Sequence, residues 1–221
     1  GIRAVRTYTL RLPEYNAVFF NPKHDAALDS KQVRQALAMA IDGDAILKNT
    51  LDNKSTPVYG PILPGAIGFN PDVKKYAFNP AAAAALLDKE GWVRDTDGIR
   101  KKESKNPKTK KMDKATLAVT LTTVDVKENA TVADIIKRDW DALGVKTTVD
   151  LVPVAKIQKD RLRPRNYDAL LYGEITGPDP DPYPFWHSSQ TGESGLNLAM
   201  YASRQADGLL EKGRVATKDD A

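Results

Sequence analysis

The chain contains no cysteine. That excludes disulfides, thiolate-ligated zinc and a thiol nucleophile. It does not fix the compartment, because exported and cytosolic domains alike can lack cysteine. Histidine is nearly missing too, with only His24 and His187. No apolar run approaches the ~18 residues that a membrane-spanning helix requires. No GxSxG, HExxH, Walker A or GxGxxG pattern occurs, so hydrolase, zincin and nucleotide-binding motifs are not found. No internal repeat is visible. No secretory leader opens the sequence, and Gly1 need not be the native start.

What is present is ordinary globular material. Hydrophobic residues make up 41% and charged residues 28% of 221 positions, enough to bury a core without covalent staples. The formal net charge of +4 hints at nucleic acid, but its location argues otherwise. Residues 101–114 hold seven lysines against Glu103 and Asp113, which leaves the rest of the chain close to neutral. That stretch contains Asn106 and Pro107 and no aromatic ring. Nucleic-acid grooves interleave basic residues with stacking rings, so a flexible, solvated loop at about 101–114 is expected, with no nucleic-acid partner.

The periodicities alternate between strand and helix. Tyr8 to Asn21 reads as a strand ending in AVFFN. Asp29 or Ser30 then caps a helix bearing Val33, Leu37, Ala40 and Ile41 at helical spacing. Asp42-Gly43 interrupts it, and Asp44 is expected to cap a second helix. Prolines and glycines from Thr56 to Pro71 forbid regular structure. Asn79-Pro80 starts the helix AAAAALLDKE, which Gly91 closes. Leu117 to Leu121 alternates as a strand. Lys127 to Leu143 is an amphipathic helix carrying Ile136, Trp140 and Leu143, with Gly144 as its cap. Strands at Val145–Leu151 and Tyr167–Tyr172 and helices near Val154–Arg161 and Gln205–Val215 complete an α/β pattern.

Residues with chemical potential are few. Glu174 follows an apolar strand and precedes a Gly/Pro loop, where α/β sheets place ligands; a solvated strand-end carboxylate is the alternative. Trp186 lies in DPYPFWHSS, a ring-dense loop that fits either ligand stacking or local packing. His187 near Asp179 and Asp181 matches no standard zinc or calcium spacing, so no metal site is expected. Ser188 and Ser189 beside His187 form no nucleophile–base pair expected from adjacency. No catalytic residue and no cofactor is therefore assigned.

The order of segments carries a resemblance. AVFFN, LDSKQVRQALAMAID, PVYGPILPG and FNPAAAAALLDKEGW, followed by IIKRDWDALGVKTTVDLVP, YDALLYGEITGPDPDPYPFWHSS and NLAMYASRQADGLLEKGR, resemble the family 5 extracellular solute-binding proteins. The resemblance implies an α/β, periplasmic binding protein type II-like fold. It also implies that residues 1–221 are a single lobe of a two-lobed protein about twice this length. It further implies an extracytoplasmic location, in the periplasm or on the cell surface as a lipoprotein. The expected role is capture of peptides or similar solutes for an ABC importer, with the permease subunits and the missing second lobe as partners. The alternative is a ligand-sensing domain of a cytoplasmic regulator. Peptide-binding relatives show Gly-Trp-x-x-Asp-Tyr at the ligand loop, with the Asp on the peptide ammonium. Here Glu174 stands for the Trp and Gly177 for the Asp. The expected ligand-facing residues are Asn21, Glu174, Ile175, Thr176, Gly177, Asp179, Tyr183 and Trp186.

Overall fold

The computed structural model describes residues 12–50, 55–105, 110, 112–177 and 181–216. A four-stranded sheet runs in the order β1-β7-β5-β6. Its members are β1 (Glu14–Phe20), β5 (Ala118–Val124), β6 (Lys146–Val152) and β7 (Ala169–Ile175). β5 pairs in parallel with both β6 and β7, while β1 joins the β7 edge antiparallel, Tyr15 opposite Glu174 and Phe20 opposite Ala169. The carboxyl ends of the parallel strands therefore share an edge with the start of β1.

Strand alternation divides the side chains between two cores. On one face Val18, Phe20, Val119, Leu121, Val149, Ala169 and Leu171 pack against helices α1 (Lys31–Met39), α3 (Pro80–Lys89) and α4 (Lys127–Leu143). On the other face Tyr15, Phe19, Val152, Leu170 and Tyr172 pack against Ile157, Trp186 and Leu198. Trp140 is wholly buried, and its indole N–H donates to the Leu37 carbonyl at 3.0 Å, fastening α4 to α1.

Local signals set the helix ends. Ser30 caps α1 by accepting the Val33 N–H. Asn79 caps α3, with Pro80 in the first turn. Helix α4 covers the expected Lys127–Leu143 and ends at Gly144, whose φ of +94° lies in the left-handed region. A Cβ there would also meet the Gly98 carbonyl oxygen at 3.0 Å. Helix α2 (Gly43–Thr50) is capped by Asp42 rather than Asp44. Asp42 accepts the Ala45 N–H at 2.9 Å, while Asp44 already lies inside the first turn. Of the helical residues expected inside, Ile41 is only half-buried.

The basic stretch is not a plain loop. Its described residues form β3 (Arg100–Lys105) and β4 (Met112–Thr116), an antiparallel hairpin that extends to β2 (Val93–Arg94). Charge density misled the reading, because a hairpin open to solvent needs no apolar periodicity. Two of its lysines are matched: Asp95 receives Lys101 and Lys114 at 2.8 Å each, and these two contacts hold its carboxyl well below the usual range. Arg100, 3% exposed, anchors the base by donating to the carbonyls of Leu143 and Trp92 at 2.8 and 2.6 Å and to Asp88. The remaining helices are α5 (Val154–Ile157), which runs on into a wider turn at Gln158–Leu162, α6 (Tyr183–Trp186) and α7 (Arg204–Val215).

Candidate functional site

Strand β7 is longer at its carboxyl end than the sequence suggests. It runs through Glu174 to Ile175, so Glu174 lies within the ladder and not after it. The pleat then decides its direction. Glu174 shares a face with Leu170 and Tyr172, and that face is the second core. Only 5% of the residue is exposed. The hydroxyl of Tyr15, its cross-strand neighbour, donates to Glu174 Oε2. The ring of Trp186 packs against the apolar cluster that holds Tyr15. Glu174 Oε1 has no hydrogen-bond partner among the described residues.

Burial dominates the electrostatics of the Tyr15–Glu174 pair. It pushes the Glu174 carboxyl up to about 7, against the weaker downward pull of the Tyr15 hydrogen bond. Burial, then the neighbouring carboxylate, hold the Tyr15 hydroxyl protonated well beyond its ordinary range. The nearby Tyr167 hydroxyl is pushed up to about 12, again by burial, and donates to the Leu198 carbonyl at 2.7 Å.

Two clefts flank the end of β7. The larger, about 1360 Å³, is lined by Glu14, Tyr59, Phe78, Asn129, Thr176 and Gly177 among others, and opens at the carboxyl edge of the sheet. The smaller, about 640 Å³, lies between β7 and residues 193–198 and is lined by Tyr172, Glu174, Phe185 and Leu198. Arg165 frames it. Its guanidinium donates to the carbonyls of Leu162, Thr191, Gly192 and Gly195, so its charge is spent on folding the 191–195 segment.

The expected ligand-facing residues are thus partly gathered and partly dispersed. Glu174 bonds the Tyr15 hydroxyl, and Trp186 packs against the same apolar cluster as Tyr15. Ile175 is 71% exposed at the strand end. Thr176 follows it, with both its N–H and its hydroxyl donating to the Pro13 carbonyl, and Gly177 lines the larger cleft. Tyr183 faces elsewhere, stacking on His187 with ring centroids 4.2 Å apart. Asn21 sits at the far end of β1 from Tyr15. Its amide donates to the Arg165 carbonyl at 2.9 Å and accepts the Lys23 N–H, so both its polar atoms serve the backbone. It does not join Glu174, because β1 and β7 run antiparallel and their paired ends lie roughly 20 Å apart at strand rise. Asp179 lies outside the described residues. Sequence reasoning missed Tyr15 and Arg165. The alternation of Tyr15, Ala17 and Phe19 marks Tyr15 as inward-facing, but only the pairing with β7 supplies its partner.

His187 turns away from Asp181 toward Asp207 and Glu211 of α7. Among the described residues no three His, Asp or Glu side chains converge on a common metal position. Ser188 donates its hydroxyl to Asp207 at 2.7 Å, and Ser189 contacts His187 within the same turn. Asn197 is fully buried and closes the Asn-x-x-x-Tyr segment. It accepts the Tyr201 N–H at 3.0 Å and donates to the carbonyls of Tyr201 and His187.

Residues 5–195 match the family model described as "Bacterial extracellular solute-binding proteins, family 5 Middle". The chain belongs to this family. Among curated relatives, it is 28% identical over 207 residues to the oligopeptide-binding protein AppA of Bacillus subtilis, covering 90% of this chain and 36% of that protein. It is 26% identical over 199 residues to the dipeptide-binding protein of Escherichia coli K12, covering 87% of this chain and 33% of that one. This family 5 chain therefore spans about a third of the length of the curated relatives it matches, not the half expected from its segments. Among solved structures, AppA from B. subtilis in complex with a nonapeptide superposes with a TM-score of 0.79 at 25% identity, covering 94% of this chain and 40% of that chain. NikZ from Campylobacter jejuni in complex with Ni(L-His) gives 0.80 at 24% identity, with the same coverages, and so bears on the fold alone.

Proposed function

We propose that this chain is one lobe of a substrate-binding protein that captures peptides or related solutes outside the cytoplasm and hands them to the permease subunits of an ABC importer. The observation that carries the reading is the end of β7. In a family 5 chain, this strand delivers Glu174 to Gly177 to the carboxyl edge of the sheet, between two clefts, where α/β folds hold ligands. The named relatives that bind oligopeptides and dipeptides supply the solute class. Family membership favours transport over gene regulation.

The role is binding and not turnover. Closing a second lobe over the β7 edge excludes water and strengthens the few polar contacts inside. The exposed Ile175, the glycine at 177 and the free edge of the larger cleft form the receiving surface. Tyr15 lines that cleft, and Glu174 lies behind it, bonded to the Tyr15 hydroxyl. Asp179 and Tyr183 belong to the segment that continues from this surface.

Calorimetry on the full-length protein with a di- to pentapeptide library tests the reading. Saturable binding that is weakened roughly tenfold or more by Trp186→Ala, and by Glu174→Ala, supports it, with peptides recovered uncleaved. Unchanged affinity in both variants removes the β7 end from the site. Binding of no peptide overturns the solute class.

A further inference from the structure

Helix α7 has no fully buried residue, and polar contacts tie it to the 181–189 segment. Asp207 accepts the backbone N–H and the hydroxyl of Ser188 at 2.9 and 2.7 Å. Arg214 pairs with Asp181 at 2.8 Å and lies 4.1 Å from the centre of the Tyr183 ring. The other face of Tyr183 stacks on His187.

His187 occupies the middle of this arrangement and is 8% exposed. Its Nδ1 accepts the Ser189 N–H at 3.1 Å and so caps the short turn Ser188–Thr191. A ring nitrogen that accepts carries no proton, so in the neutral imidazole the proton sits on Nε2. Nε2 is buried and makes no hydrogen bond of good geometry. Two carboxylates of α7 face it, Glu211 at 3.4 Å and Asp207 at 3.9 Å.

The two charge states of the ring therefore favour different contacts. Neutral, it caps the Ser188–Thr191 turn and offers α7 only an unbonded N–H. Charged, its Nδ1–H is incompatible with the Ser189 N–H and turns instead to the Ser189 hydroxyl, 2.8 Å away, which then accepts. The imidazolium at the same time gains attraction to Asp207 and Glu211. Asp207 is held below the usual carboxylate range, first by the Ser188 hydroxyl, and so stays ionised in mild acid. The like charge facing the ring from beyond Tyr183, Arg214, is already paired with Asp181.

We propose that His187 is a proton-operated latch: when charged it fastens α7 to the segment that carries Tyr183 and Trp186, and when neutral it relaxes that attachment. The latch sits one residue from Trp186, so it links the seating of α7 to the position of the indole. Docking of α7 is therefore tighter where the His187 ring is charged than where it is neutral.

Hydrogen exchange on the full-length protein at pH 5.5 and pH 8.0, corrected for intrinsic exchange rates, reads the latch directly. Amides of α7 are expected to be roughly three- to fivefold better protected at the lower pH. His187→Gln, whose side-chain carbonyl can still cap the turn, should abolish that difference. Glu211→Gln alters a mostly exposed side chain and should shrink the difference without endangering the fold. Equal protection at both pH values in the wild type overturns the proposal. So does an undiminished difference in His187→Gln or, if that variant does not fold, in Glu211→Gln.

Discussion

Tyr15 and Glu174, 159 residues apart, share a hydrogen bond across β1 and β7 in which the tyrosine hydroxyl donates to the carboxylate. The pairing buries an acid with one oxygen unpartnered, and burying such a group disfavours its charged form. The first prediction follows from this. A carboxyl raised from 4.5 to about 7 keeps its proton in the folded protein where the unfolded chain has already lost it. Its contribution to stability is therefore greatest at or below pH 4.5 and is lost as pH rises toward about 7. Urea unfolding of the full-length protein at pH 5 and pH 8 should show wild type losing on the order of 2–3 kcal/mol that Glu174→Gln does not lose. Parallel pH profiles for the two proteins contradict it.

Arg100 is a buried anchor for a hairpin that otherwise faces solvent. Arg100→Ala leaves the carbonyls of Leu143 and Trp92 without this donor and should cost roughly 2–4 kcal/mol in chemical denaturation. Arg100→Lys keeps the charge but not the fork, and should recover less than half of that. Full recovery by lysine would mean that charge, not geometry, holds the hairpin base.

The outer hairpin, by contrast, is expected to be dispensable. Glu103 stands opposite Lys114 in the ladder. Replacing residues 104–113 by Asn-Gly joins that pair through a two-residue turn suited to strand twist. Stability should change by less than about 1 kcal/mol, because the described residues of the segment are exposed. Cooperative loss of structure on this replacement would show that the lysine-rich strands support the core.

Trp140 tests the joint between α4 and α1. Trp140→Phe removes the bond to the Leu37 carbonyl and should cost roughly 1–3 kcal/mol. Trp140→Ala adds a cavity and should cost roughly 3–5 kcal/mol. Equal losses in the two variants would assign the whole effect to the hydrogen bond.

Much of this protein is legible in the sequence, wherever the signal is local. Asn79-Pro80 and Gly144 mark helix ends because caps act within one turn of chain. Val33, Leu37, Ile136 and Trp140 declare their burial by spacing alone. The order of these segments fixes the family. The sheet pairing decides the rest. Whether Glu174 faces solvent or core depends on where β7 ends and on which residue of β1 lies opposite, since a shift of one position in a strand exchanges its faces. Asn21, joined to Glu174 by motif reasoning, is parted from it by the antiparallel register of the same two strands. Lys101 and Lys114 look unpaired in sequence because Asp95 reaches both only through the folded hairpin. Local periodicity sets which segments form, whereas the partners of a buried charge lie far along the chain and exist only once the strands have met.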